Sequence, residues 1–265
     1  MSVGRPTSIC IIVAPYHAGV YDERVGGGPL RILSHGLASQ LERLTPVTFV
    51  NIAPVDEFEG EIGRPFKITR RISTAVSRAV SLNEFPLILS GNCSASAAAA
   101  AGLSSSVLDL GVLWFDAHDD LDTPDVHVSG CLDGMAASMM CGKSWPALMN
   151  TVPGFKSFSL DQVAFIGVCD VSESKRKWIK ETGLTAVWGD ASKHADLTDL
   201  GKVLERQKFA KSHVHLDVDV LDKSLGRANE WPSPGGLDSD DLLKRMELIS
   251  SKIKPTSMTV CSFDP

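Results

Sequence analysis

Short runs of apolar residues recur along the chain at residues 9–13, 47–50, 87–89, 112–115, 163–166, 186–188, 214–216 and 258–261, with longer mixed stretches between them. Each run is nearly all apolar rather than alternating, as expected of strands buried on both faces of a parallel sheet. Helices are predicted in the intervening stretches. One opens at Pro29, behind Gly26-Gly27-Gly28, and runs toward Leu44. A second covers the alanine-rich residues 95–101. A third is capped by Asp238 or Ser239 and carries Leu242, Met246 and Ile249 on one face. Strands alternating with helices predict an α/β fold, a mainly parallel sheet with helices on both sides.

The 265 residues fit one domain, residues 1–265, and a 43% apolar share supplies a sizeable core. A net charge of -6 argues against nucleic acid and against an anionic membrane surface, and weakly suits a cationic small molecule. No apolar stretch reaches the length of a membrane span. The start Met1-Ser2-Val3-Gly4-Arg5-Pro6 lacks the pattern of a secretory signal. Six scattered cysteines without a CxxC pair predict free thiols in a reducing, cytoplasmic setting. The Gly26-Gly27-Gly28 run has neither nucleotide-binding spacing and reads as a tight turn.

Chemistry concentrates in two acidic segments. Asp116-Ala117-His118-Asp119-Asp120 follows the run ending at Phe115, and Asp217-Val218-Asp219 follows the run ending at Leu216. In extended backbone, alternate residues share a side, so Asp116, His118 and Asp120 are expected to converge beyond a strand end. Ligands gather at the carboxyl ends of parallel strands. Several carboxylates packed there repel one another unless cations sit among them. Oxygen ligands with imidazole suit Mn²⁺, and shared carboxylates can bridge two ions.

The order of motifs resembles the arginase/agmatinase (ureohydrolase) family over nearly the whole chain. The segments are Ser90-Gly91-Asn92-Cys93-Ser94, Asp116 to Pro124, Ser129-Gly130-Cys131-Leu132-Asp133-Gly134-Met135, Asp217 to Asp222 and Pro234-Gly235-Gly236-Leu237. The resemblance implies a three-layer α/β/α sandwich around an eight-stranded sheet and a centre of two Mn²⁺ ions. By position it implies one ion on Cys93, Asp116, Asp120 and Asp217, and another on His118, Asp116, Asp217 and Asp219. It further implies a hydroxide nucleophile generated between the ions and oriented by Asp120, an amidinohydrolase activity on a guanidino-type small molecule, and a homo-oligomer.

Four positions depart from the family pattern. Cys93 stands where the family has histidine, as in members resembling hydroxyarginine hydrolases, and its sulfur favours Zn²⁺ or another thiophilic ion over Mn²⁺. Asp133 replaces the histidine that serves the leaving amine; it is a candidate proton shuttle or substrate contact. Ser262 stands where a glutamate holds the guanidinium, leaving Asp133, Asp122 or Glu230 as candidate acids. Asp122 and Ser172 replace residues that read the substrate's carboxylate and amino group, so an arginine derivative fits better than free arginine. Decarboxylated, peptide-bound and N-hydroxylated forms are the candidates, with formiminoglutamase-like or agmatinase-like activity, or a catalytically silent homologue, as alternatives. His127 is a further candidate contact, although surface exposure is the commoner fate of such a loop histidine. His215 is expected in a supporting shell of the metal ligands. Trp114 and Trp188 read as core, Trp231 as a residue of the pocket mouth, and His17, His35, His194 and His213 as surface or packing residues.

Overall fold

The computed structural model describes residues 5–189 and 197–265, so His194 lies outside them. Among the described residues eight strands form one sheet: β1 Ser8–Ala14, β2 Val47–Asn51, β3 Glu84–Ser90, β4 Leu110–Phe115, β5 Val163–Val168, β6 Thr185–Trp188, β7 Lys211–Asp217 and β8 Lys254–Cys261. Their order is β2-β1-β3-β8-β7-β4-β5-β6. Every pairing is parallel, so the expected mainly parallel sheet is entirely so. All eight apolar runs fall on these strands.

Alternation along each strand divides the core into two layers. Cys10 and Ile12 on β1, with Val112 and Trp114 on β4, pack under Phe66, Ile72 and the alanines of the helix Ser94–Leu103. Ile11 and Val13 face Leu30, Leu33 and Leu41 on the opposite side. Leu113 and Phe115 meet Leu200, Leu204 and Ile249 there. Helices therefore cover both faces, and the three-layer sandwich follows. Trp114 is fully buried, whereas Trp188 is partly exposed and carries the Arg176 guanidinium 4.6 Å above its ring. No helix of the described residues is long and apolar enough to cross a membrane.

Two helices differ from the sequence expectation. The stretch from Pro29 to Leu44 is not one helix but two, Gly28–Ser34 and Leu37–Glu42. Gly36 between them adopts φ +87°, a left-handed turn that ends the first segment. The 22-residue helix Gly60–Ser81 has no counterpart in the sequence reading. Its buried stripe of Phe66, Thr69, Ile72, Ser73, Val76 and Ala79 is diluted by small polar residues, and Pro65 sits inside it. The third expectation holds, with Asp238 accepting from the Asp241 amide at 2.6 Å at the start of Ser239–Lys252.

His213 is fully buried between β7 and β8, where Ser257 Oγ lies 2.7 Å from Nδ1. Burial pushes its pKa down to about 3 from 6.5. The folded ring stays neutral while the unfolded ring takes up a proton, so stability falls as pH drops below 6.5 toward 3. The loss approaches about 1.4 kcal/mol per pH unit. His213→Gln is expected to flatten that acid limb in urea unfolding followed from pH 7 to pH 4. An unchanged pH slope would show that His213 does not drive it.

Candidate metal centre

The four central strands β3, β8, β7 and β4 are neighbours, and their carboxyl ends open on one rim. Each delivers chemistry directly after its last residues. Cys93 follows β3 and immediately precedes the helix Ser94–Leu103; Cys261 ends β8; Asp217 ends β7; Asp116 follows β4.

The loop after β3 is held by close packing at Gly91. A Cβ there would stand 2.3 Å from the Tyr16 carbonyl and 2.9 Å from Gly26 Cα. The Gly26-Gly27-Gly28 run thus serves as the predicted turn, packed on the site loop. Gly91→Ala is expected to destabilise the fold by about 1–3 kcal/mol through overpacking, read as a lowered urea midpoint. An unchanged midpoint would refute the constraint.

The acids are locked by local hydrogen bonds. Asp217 accepts from the Asp219 amide at 2.9 Å as cap of the short turn Val218–Val220. Asp116 accepts from the His118 amide at 2.7 Å and from Trp114 Nε1 at 3.2 Å. Asp219 accepts from the Ala117 amide at 3.4 Å and from Asn229 Nδ2 at 3.3 Å. Asp116, His118 and Asp120 do converge, but not through extended backbone. The segment bends, and Asp120 takes φ +49°, which turns its carboxylate back toward the rim.

Three donor sets result, each with its ligand atoms within 4.8 Å of one another: Cys93, Asp116, Asp120 and His215; Asp116, His118 and Asp219; and Cys93, His215, Asp217 and Cys261. All six residues read from the motifs as ligands are therefore brought together. His215, expected in the supporting shell, stands among the donors themselves, and Cys261 is an addition. His215 stacks on Trp114 at 3.7 Å between ring centres and meets Ser96 Oγ through Nδ1 at 2.7 Å. Its place inside an apolar strand two residues before Asp217 is the signal that singled it out in the sequence. Cys261 carried no such signal, because only the strand order places β8 between β3 and β7.

Burial without compensation shapes the electrostatics. It pushes the carboxyls of Asp120, Asp217 and Asp219 up, reinforced by Asp116 beside each of them. Burial also acts to raise Asp116, but the imidazoles of His118 and His215 outweigh it and hold that carboxyl below the usual range. His118 responds in the opposite sense: burial lowers it, and Asp116 and Asp219 more than offset this and raise it. Its Nδ1 lies 3.2 Å from Asp116 and 3.5 Å from Asp219, where a proton supplies positive charge to both carboxylates. Asp120 Oδ2 and His215 Nε2 are buried without a hydrogen bond, although Asp116 Oδ2 stands 3.5 Å from the latter. Orphaned donors amid excess negative charge are what divalent cations satisfy, so these residues fit such ions. The Cys93 thiol, donating to Asp217 Oδ2 at 2.9 Å, tilts one position toward a thiophilic metal.

Asp133 lies beside this rim, accepting from Asn92 Nδ2 at 2.5 Å and from the Cys93 amide at 3.1 Å, at the start of the helix Ser94–Leu103. Burial lifts its pKa to about 6. The remaining candidates already have partners. Asp122 is bound by Lys175 Nζ and His127 Nδ1, each at 2.8 Å, so its charge is neutralised within the protein. His127 is partly buried rather than surface-exposed, because Asp122 and Ser129 engage both ring nitrogens. Ser172 caps the helix Glu173–Glu181, accepting from the Lys175 amide at 3.2 Å. Glu230 pairs with Arg24 on the surface, and Trp231 is 66% exposed. Ser262, at φ +66°, is buried with its hydroxyl 3.3 Å from Cys93 Sγ.

Known proteins repeat this arrangement of strands. A model of the arginase family matches residues 7–265. An arginase from Bacillus caldovelox is 26% identical over 274 residues, which cover 97% of this chain and 91% of that one. The crystal structure of an arginase from Bacillus subtilis superposes with a TM-score of 0.83 at 25% identity, covering 97% of this chain and 91% of that one. A putative agmatinase from Clostridium difficile shares the fold at a TM-score of 0.70 and 14% identity, over 98% and 89% of the two chains.

Proposed function

Because this chain belongs to the arginase family, whose members hydrolyse guanidino C–N bonds, we propose that it is a binuclear-metal amidinohydrolase acting on a modified arginine rather than on free arginine. The observation that carries the reading is the convergence of Cys93, Asp116, His118, Asp120, Asp217 and Asp219 on one buried rim. Asp116 and Asp217 would be shared between two ions, with Cys93 and Asp120 completing one set and His118 and Asp219 the other. Bound there, divalent cations supply Lewis acidity, polarising the amidine and making water acidic enough to yield hydroxide near neutral pH.

The chain's own groups would divide the remaining work. Asp120, with an oxygen free of hydrogen bonds, would orient the attacking water. Asp133, its pKa lifted to about 6, would take up a proton within about a unit of neutral pH and pass it to the departing amine nitrogen. Ser262 offers the substrate a neutral hydroxyl, and Asp122 and Glu230 are already paired with cations. Of the candidate acids only Asp133 lacks a cation partner, and its carboxyl already accepts from Asn92 and the Cys93 amide, which favours a less basic head such as an N-hydroxyguanidine.

The test is a substrate panel with Mn²⁺ or Zn²⁺ supplied: free arginine, N-hydroxyarginine, agmatine, an arginyl peptide and formiminoglutamate. Turnover of an arginine derivative at least about tenfold faster than free arginine is expected, a difference worth about 1.4 kcal/mol. Preference for free arginine would overturn the specificity, and preference for formiminoglutamate would replace it. A second reading, a silent homologue, draws on Cys93, Asp133 and Ser262; it predicts no turnover of any of these compounds and no bound ion in metal-replete protein.

A further inference from the structure

We propose that Cys261 joins Cys93, His215 and Asp217 in a thiophilic site for one tetrahedral divalent cation such as Zn²⁺. The family-type set does not contain Cys261. The inference needs the rim to bind metal but not the amidinohydrolase reading, and its readout is independent of turnover.

The topology brings these donors together from three adjacent strands. β8 lies between β3 and β7, and Cys261 is in register with Asp217. The two sulfurs stand 3.8 Å apart. Zinc–thiolate bonds of about 2.3 Å at a tetrahedral angle place two sulfurs roughly 3.8 Å from each other, so this pair already has the spacing of one edge of the coordination figure. Asp217 Oδ2 lies 2.9 Å from Cys93 Sγ and 4.0 Å from Cys261 Sγ, and a donor atom from each of the four residues falls within 4.8 Å of the others.

The imidazole supplies the independent sign of a missing ligand. His215 is fully buried, Ser96 occupies its Nδ1 at 2.7 Å, and its Nε2 makes no hydrogen bond. Two thiols, an imidazole and a carboxylate match the sulfur- and nitrogen-rich composition that zinc accepts and Mn²⁺ does not prefer. Binding would exchange the two S–H protons, released to solvent, for two metal–sulfur bonds. Since Cys93 and Asp217 also belong to the family-type sets, a thiophilic ion would sit nearer β8 than the position deduced from the motifs.

Reduced, metal-stripped protein titrated anaerobically with Co²⁺ provides the test, because thiolate–cobalt charge-transfer absorption in the near ultraviolet grows with each sulfur bound. The wild type is expected to show this band and to lose it when Zn²⁺ is added. Cys261→Ser and Cys93→Ser should each retain about half the intensity, and the double variant none. A band unchanged in Cys261→Ser, or no band in the wild type, overturns the proposal. Should a variant fail to fold, ¹¹³Cd NMR of the wild type decides: a shift typical of two sulfur ligands supports the site, and one typical of a single sulfur or none rejects it.

Discussion

Replacing Asp217 by asparagine is expected to abolish turnover and metal content together while making the metal-free protein more stable than wild type at pH 8. Asp217 is 3% exposed, and its close positively polarised neighbours include the Asp219 amide and the Cys93 and Cys261 thiols. Burial raises its pKa, and Asp219 and Asp116 raise it further, so the folded protein keeps a proton that the unfolded chain has lost. Folding then binds protons, and stability falls as pH rises above the ordinary aspartate value of 3.8. An amide of the same shape removes that dependence at this position, a gain of about 1–2 kcal/mol at pH 8 and none near pH 4. Losing a ligand proposed for both ions would remove several kcal/mol of transition-state stabilisation, roughly a thousandfold or more in rate. Chemical unfolding of stripped protein at both pH values, beside metal analysis and turnover, checks all three results. Wild-type activity in Asp217→Asn would sink the assignment of the centre.

Adding Mn²⁺ or Zn²⁺ to stripped protein should raise its melting temperature by roughly 10–20 °C. Each ion at about a hundredfold excess over its dissociation constant contributes near 2.7 kcal/mol, and about 2–4 °C accompanies each kcal/mol in a chain of this size. The shift should be larger at pH 8 than at pH 5. At the lower pH, Asp120, Asp217 and Asp219, whose pKa values burial raises, hold more protons that a cation must displace. Differential scanning fluorimetry with and without a chelator provides the measurement. A shift of under a degree at both pH values would mean that the rim does not hold ions tightly, however well its acids are grouped.

The central strands were legible because helices cover both faces of the sheet there, whereas the edge strand β2 shows an apolar run with Phe49 47% exposed. Residues 112–115 are wholly apolar for the same reason that all four are buried. The segment from Asp116 to Asp120 announced itself through its unusual density of acids, and the structure keeps its residues together by a bend rather than by alternation. Helix ends were harder. One left-handed glycine, Gly36, splits what periodicity alone joins, and the helix Gly60–Ser81 hides its packing face among Thr and Ser. At the site, sequence neighbours were readable and spatial neighbours were not. Cys261 and Ser262 lie beside Cys93 only because β8 inserts next to β3, a fact of topology that no local pattern encodes. The same limit applied to Asp122 and Glu230, whose partners Lys175 and Arg24 are 53 and 206 residues away.

The order of the strands also dictates when the centre can exist. β3 and β4 are made earlier, yet the gap between them waits for β7 and β8, which follow them in the chain. Cys93 must meet partners 124 and 168 positions downstream, contacts that are costly to close and slow to form. Until then the nascent chain carries two raw strand edges and a half-built cluster of acids, a state prone to association. Cation capture by the full set would therefore come only after β7 and β8 have entered the gap.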